Sequence, residues 1–183
     1  MSSKKLSKFL SHVLRHRPDA IGLCLDEAGW AEITELVEKA RTIGFNLTST
    51  LIQRIVVSSD KQRFSISSDG RRIRANQGHS IAIELGLPEM EPPNILYHGT
   101  ARRKLAAIRS QGISRGKRNH VHLSADIYSA VRVGSRHGQP AVLTVLAAKM
   151  YQTGSRFYRS ENGIWLTEHV PPEYLLFTTS QTA

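Results

Sequence analysis

The sequence predicts an α+β protein built as two lobes, and three observations carry that prediction. Apolar residues recur at helical spacing three times in the first sixty residues, and one alternating hairpin follows them. After residue 94, short β-rich runs alternate with helical ones. Between the two patterns stands Pro88-Glu89-Met90-Glu91-Pro92-Pro93, whose paired prolines continue neither a helix nor a central strand. The segment reads as a semi-rigid linker, which places the lobes at 1–90 and 91–183.

In the first lobe, Leu6, Phe9, Leu10, Val13 and Leu14 form the apolar stripe of an amphipathic helix that Pro18 stops. Ile33, Leu36, Val37 and Ala40 make a second helix, ended by Gly44. Thr48 caps a third, which carries Leu51, Ile52, Ile55 and Val56. Asp69-Gly70 then separates two alternating runs and predicts a tight hairpin pairing Ile66 with Ile73 and Phe64 with Ala75. Three helices and a hairpin describe a winged-helix-like unit.

In the second lobe, Ile95–His98, Val121–Leu123, Ala141–Leu146 and Ile164–Thr167 read as strands. Arg102–Ser110 and Ile127–Val133 read as helices, and Glu161-Asn162-Gly163 turns a hairpin within Phe157–Thr167. The expectation is an α+β domain around a small sheet.

Composition bounds the function. Of 183 residues, 40% are hydrophobic, enough for a real core. No run approaches the ~20 apolar residues of a membrane span. Met1–Phe9 is polar and basic with no apolar block behind it, unlike a secretory signal. Cys24 is the single cysteine, which excludes an internal disulfide and a cysteine-based zinc site and fits a cytoplasmic protein. A monomer is expected. The net charge of +10 points to a polyanionic partner, with nucleic acid foremost. Residues 1–92 contribute +2 of it and residues 93–183 contribute +8.

Several residue patterns bear on chemistry. The alternation places Arg63, Ser65, Ser67, Arg72, Arg74 and Asn76 on the hairpin face opposite the core. Guanidinium forks on such a face suit phosphate oxygens, and a solvated wing face explains them equally well. Arg15-His16-Arg17 ends the first helix, where cations also complement the helix dipole. Gly99, in Leu96-Tyr97-His98-Gly99-Thr100, allows a close backbone approach to a ligand. His120 and His122 share a strand face but lack further ligands at metal-like spacing, so no metal is expected. The chain has no Walker phosphate loop, no G-x-G-x-x-G and no G-x-S-x-G.

Taken together, the motifs resemble one family. Leu14-Arg15-His16, Asp26–Trp30, Asp60-Lys-Gln-Arg-Phe64, Ile73-Arg-Ala-Asn-Gln-Gly-His-Ser80, Leu96-Tyr-His-Gly-Thr100, His120-Val-His-Leu-Ser124 and Asn162-Gly-Ile-Trp-Leu-Thr167 occur in that order. In this combination the chain resembles the NAD-dependent RNA 2′-phosphotransferases, also called tRNA 2′-phosphotransferases, from about Ser7 to Leu176. The resemblance implies a winged-helix-like N-terminal lobe and a C-terminal lobe of the ADP-ribosyltransferase fold.

It also implies a two-step reaction. An RNA 2′-phosphate attacks the anomeric carbon of the nicotinamide ribose of NAD, and then the ribose 2″-hydroxyl attacks phosphorus. The family's catalytic set maps onto Arg15, His16, Arg63 and Arg118. Because that set draws on both lobes, the resemblance places the site in a cleft beside Pro92-Pro93. His98, Gly99, Thr100, His122 and Ser124 are implied to line the NAD pocket, with Arg136 contacting the pyrophosphate or ribose. Many ADP-ribosyltransferase-fold enzymes carry a glutamate on a late strand, where this chain has Ile164 and Trp165. An anionic nucleophile needs no general base, which accords with the missing acid. Two rival readings remain at this level: a winged-helix nucleic-acid-binding regulator without catalysis, and an ADP-ribosyltransferase acting on another phosphate-bearing acceptor such as a nucleic-acid 5′-end.

Overall fold

In a computed structural model, which describes residues 3–59 and 61–177, the chain is mixed α and β with small antiparallel sheets. It divides into two compact units, Met1–Gly86 and Leu87–Ala183.

The first unit begins with α1 (Ser3–Arg15), whose buried residues are the predicted stripe of Leu6, Phe9, Leu10, Val13 and Leu14. It ends three residues before Pro18, which instead opens a short 3₁₀ turn. Next come β1 (Ala31–Glu32), α2 (Ile33–Thr42) and α3 (Ser49–Val57). The Thr48 hydroxyl caps α3 by accepting from the Leu51 N–H at 3.2 Å. The hairpin strands β2 (Phe64–Ile66) and β3 (Arg72–Ala75) pair in the predicted register, Phe64 with Ala75 and Ile66 with Ile73. β1 adds to the other edge of β3 through Ala31 and Ile73. Two residues are too few for a periodic signal, so sequence reading missed that strand. All of these elements close over one apolar core centred on Leu6, Leu10, Leu14, Leu36, Ile52, Phe64 and Ile73.

The second unit comprises β4 (Leu96–Ala101), α4 (Leu105–Gln111), β5 (Ile113–Ser114), β6 (Val121–Leu123), α5 (Ile127–Gly134), β7 (Pro140–Val145), α6 (Ala147–Gln152), β8 (Tyr158–Arg159), β9 (Trp165–Thr167), β10 (His169–Val170) and β11 (Leu175–Leu176). Its sheets are β11-β7-β4, β6-β9-β8 and the pair β10-β5. Reciprocal backbone bonds between Tyr97 and Ser124, at 2.8 and 2.9 Å, bring β4 beside the end of β6. The predicted helix at 102–110 resolves into a 3₁₀ turn, Arg102–Lys104, followed by α4. α6 was not anticipated, because six residues span less than two turns.

Two expectations become specific. The proline-rich segment, read as a semi-rigid linker, is paired at residues 89 and 90. Met90 N–H donates to the Phe157 carbonyl at 2.8 Å and Glu89 bridges Tyr158, so it lies along the β8 edge of the second unit. Asn76 is not on the arginine face. It is 4% exposed, because its amide turns inward to donate to the Gln62 carbonyl at 2.7 Å.

Candidate active site

Two sets of cationic side chains stand out, one in each unit. In the first unit the end of α1 presents Arg15 and His16, and the turn before β2 presents Arg63. Arg15 Nη2 donates to the Arg63 carbonyl at 3.2 Å, and its guanidinium lies 5.8 Å from the Phe64 ring centroid. The segment after β3 closes behind them. Ser80 N–H donates to the Arg15 carbonyl at 2.9 Å, and Ser80 Oγ shares a 2.9 Å hydrogen bond with His16 Nδ1. Gly78, at φ 90°, brings its backbone to the Arg15 guanidinium; a Cβ there would sit 3.5 Å from Nη1.

The backbone at Arg63 follows an unusual turn. Gln62 before it is left-handed, at φ 39°, the one such non-glycine residue described. Such backbone costs about 1–3 kcal/mol and persists only where neighbours over-determine it. The buried Asn76 amide on the Gln62 carbonyl, and the Asn76 N–H on the Arg63 carbonyl at 3.0 Å, supply that constraint.

The rest of the hairpin's arginine face is engaged elsewhere. Arg74 stacks on Trp30 at 4.5 Å and Arg72 lies 5.6 Å from the same ring. Arg72 also pairs with Asp26 at 3.4 Å. Those contacts tie Arg72 and Arg74 to Trp30, and the Arg63 carbonyl is where that face meets Arg15.

His79, within the Ile73–Ser80 run, carries no role legible in the sequence. That residue is 2% exposed. Burial first, then the charges of Arg15, His16 and Arg74, push its imidazole down to about 4. A neutral ring therefore lies near the Arg15 and Arg74 guanidinium groups and the His16 imidazole. Its only mark in the sequence is a histidine beside glycine directly after a strand.

In the second unit β4 and β6 bring the predicted cofactor residues together. His98 Nδ1 lies 3.1 Å from the His122 carbonyl, and Thr100 and Ser124 are buried. Gly99 has a packing reason of its own: a Cβ there would meet the Ala130 carbonyl oxygen of α5 at 1.8 Å. The close approach is thus to a helix backbone. Burial lowers His98, and Lys104, Arg118 and His137 add to that shift. Arg118 is itself held below the usual arginine range, by desolvation of its guanidinium and then by Arg136. His98, Arg118 and Arg136 are therefore electrostatic neighbours.

Each histidine of the His-X-His pair has a contact within the second unit. His122 Nδ1 bonds the His120 carbonyl at 3.0 Å, and the His120 ring meets Tyr158 edge-on. Among the described residues, no group of three or more His, Cys, Asp or Glu side chains is placed to hold a metal ion. Nor is any described helix long and apolar enough to cross a membrane.

Guanidinium and imidazole donors gathered by short loops are the chemistry of a protein that handles phosphate-bearing anions. Comparison with known proteins narrows that class. Residues 1–169 match the model of the "RNA 2'-phosphotransferase, Tpt1 / KptA family". The chain is 53% identical over 173 residues to a "Probable RNA 2'-phosphotransferase" of Acaryochloris marina, covering 94% of this chain and 96% of that protein. It is 50% identical over 181 residues to a protein of the same description from Agrobacterium fabrum, covering 99% and 97%. A third, from Escherichia coli O9:H4, is 53% identical over 170 residues, 92% of each chain. The chain belongs to the RNA 2′-phosphotransferase family, a family of transferases.

Proposed function

We propose that this protein removes an internal 2′-phosphate from RNA, of the kind left at a tRNA splice junction, by transferring it to NAD. The observation that carries the reading is the first-unit cluster of Arg15, His16 and Arg63, each held by backbone or side-chain bonds. A 2′-phosphate presents up to two charges and three acceptor oxygens, which such a cluster matches. With His16 Nδ1 engaged by Ser80, the nitrogen assigned to the phosphate is Nε2. Arg118 completes the set by family resemblance. The same resemblance makes the first lobe winged-helix-like and the second ADP-ribosyltransferase-like.

NAD is here a co-substrate, and the second unit's residues fit it. Lys104 and Arg118 supply positive charge near His98, and Arg136 lies near Arg118, an arrangement suited to a pyrophosphate. The buried hydroxyls of Thr100 and Ser124 suit ribose. NAD supplies an electrophilic ribose carbon whose leaving group is nicotinamide. In the first step a phosphate oxygen bonds to that carbon, and the C–N bond breaks with its electron pair leaving on nicotinamide. In the second step the ribose 2″-oxygen bonds to phosphorus and the bond to the RNA 2′-oxygen breaks. The hydroxyl proton ends on that oxygen, giving RNA with a free 2′-hydroxyl and ADP-ribose 1″,2″-cyclic phosphate. Arginines position the phosphate in step one and stabilise charge building on its oxygens in step two.

The test is mass analysis of a 2′-phosphorylated oligonucleotide incubated with the protein, with and without NAD. The expected result is loss of the phosphate, with release of nicotinamide and the cyclic phosphate, only when NAD is present. Binding without either product would favour the non-catalytic regulator, and an ADP-ribosylated product that goes no further would favour a simple ADP-ribosyltransferase.

A further inference from the structure

The first unit holds a second cationic feature. α1, the end of α3, Lys61 and Arg63 border an open cleft of about 510 Å³, lined by Lys4, Lys8, Lys61 and Arg63 and by several serines. No acidic side chain among the described residues lines it. Lys4 and Lys8 are exposed, have no ion-pair partner within 4.0 Å among the described residues, and share one face of α1 with the serines at 7 and 11.

Fold stability does not account for those lysines. Cations in the first turns of a helix oppose its dipole, and α1 has no acidic residue in its first turn to offset them. Ser59 Oγ, at the inner wall, is buried and makes no hydrogen bond among the described residues. A buried hydroxyl left so is expensive unless a ligand meets it. The cleft also runs into the candidate active site: Arg63 lines it, and the Arg63 carbonyl accepts from Arg15. Along the helix, Lys8 stands about 10 Å from Arg15 and Lys4 about 16 Å, at ~1.5 Å per residue. That is beyond the reach of the reactive phosphate alone, and within reach of its neighbours on the same strand.

We propose that this cleft holds backbone phosphodiester of the RNA strand flanking the 2′-phosphorylated nucleotide, with Lys4 and Lys8 as its cations and Ser59 as a hydroxyl donor. The proposal rests on the reading that RNA carrying a 2′-phosphate is the substrate. It adds that the protein reads several nucleotides of single strand and discriminates by length rather than by base.

The test is binding of a short single-stranded oligoribonucleotide without a 2′-phosphate, by fluorescence anisotropy across a salt series. The proteins are wild type, K4Q/K8Q, and K39Q/K149Q, a control that removes the same charge from other faces. K4Q/K8Q should bind roughly tenfold more weakly at low salt and lower the salt slope by about 0.7 per lost phosphate contact, while the control stays near wild type. With 2′-phosphorylated substrates, its rise in KM should grow with strand length. Its thermal midpoint should not fall, since the change relieves the helix dipole. If wild type binds and K4Q/K8Q matches it, or the control weakens as much, the cleft is not an RNA site, although the enzymatic reading stands. If wild type neither binds RNA nor dephosphorylates it with NAD, that reading fails and takes this proposal with it.

Discussion

Arg15 illustrates how a residue proposed for the phosphate site is held without being fully buried. Its guanidinium rests against Phe64 and on the Arg63 carbonyl, and its own carbonyl takes the Ser80 N–H. Most of that scaffold is backbone, so alanine at Arg15 or Arg63 should leave a folded protein. We expect each of Arg15→Ala, His16→Ala, Arg63→Ala and Arg118→Ala to lower turnover on the order of 10²–10³, as loss of one preorganised donor does. The two steps should not suffer equally. Neutralising a phosphate blunts it as a nucleophile in step one, whereas stabilising charge on its oxygens helps step two without that opposition. At least one arginine variant should therefore accumulate ADP-ribosylated RNA, seen as a slower band on a time-course gel of labelled substrate. His79 makes a different kind of prediction. Its folded value, about 4, lies below the usual 6.5, so the unfolded chain binds the extra proton between those values. Stability present above about pH 6.5 should be lost as pH falls towards about 4, by up to roughly 3 kcal/mol at ~1.4 kcal/mol per unit. Thermal midpoints should fall with acid in wild type and fall less in His79→Gln; equal slopes would remove His79 from the account.

Elements differ in how far the sequence specified them. α1 followed from its apolar stripe, and the β2–β3 register from Asp69-Gly70, because each rests on local periodicity and turn chemistry. β1, β5, β10 and β11 have two residues each and exist only because a neighbouring strand offers its edge, which no local window contains. Gly99 belongs to this scale. Its strand packs against α5 so closely that a Cβ would overlap the Ala130 carbonyl, and Gly134 of that helix meets the Thr100 carbonyl in turn. Neither helix nor strand backbone can retreat cheaply. Gly99→Ala should therefore destabilise the second unit by about 3 kcal/mol or more, visible as a lower unfolding midpoint or poor soluble yield. A well-folded Gly99→Ala protein with only a raised KM for NAD would instead assign the glycine to the ligand.

For the whole molecule, charge is the governing quantity. The net +10 suits a polyanion, and arginines can neutralise a phosphate as a bound divalent ion would. Turnover should accordingly survive excess EDTA, and a large loss restored by added metal would count against an arginine-only site. Charge alone did not say which cations act. Arg72 and Arg74 looked equivalent to Arg63 in sequence, yet Trp30 and Asp26 occupy them.

The sequence by itself determined the α+β class, the three helices and hairpin of the first unit, and the family, since periodicity, turn residues and ordered motifs are local properties. Tertiary structure alone decided the rest. It set Arg72 and Arg74 of the arginine face against Trp30, placed neutral His79 near Arg15 and Arg74, turned Asn76 inward to brace a strained Gln62, and gave Gly99 a helix as its neighbour. Each of these depends on which distant residue shares a few ångströms of buried space. Only the packed chain contains that information.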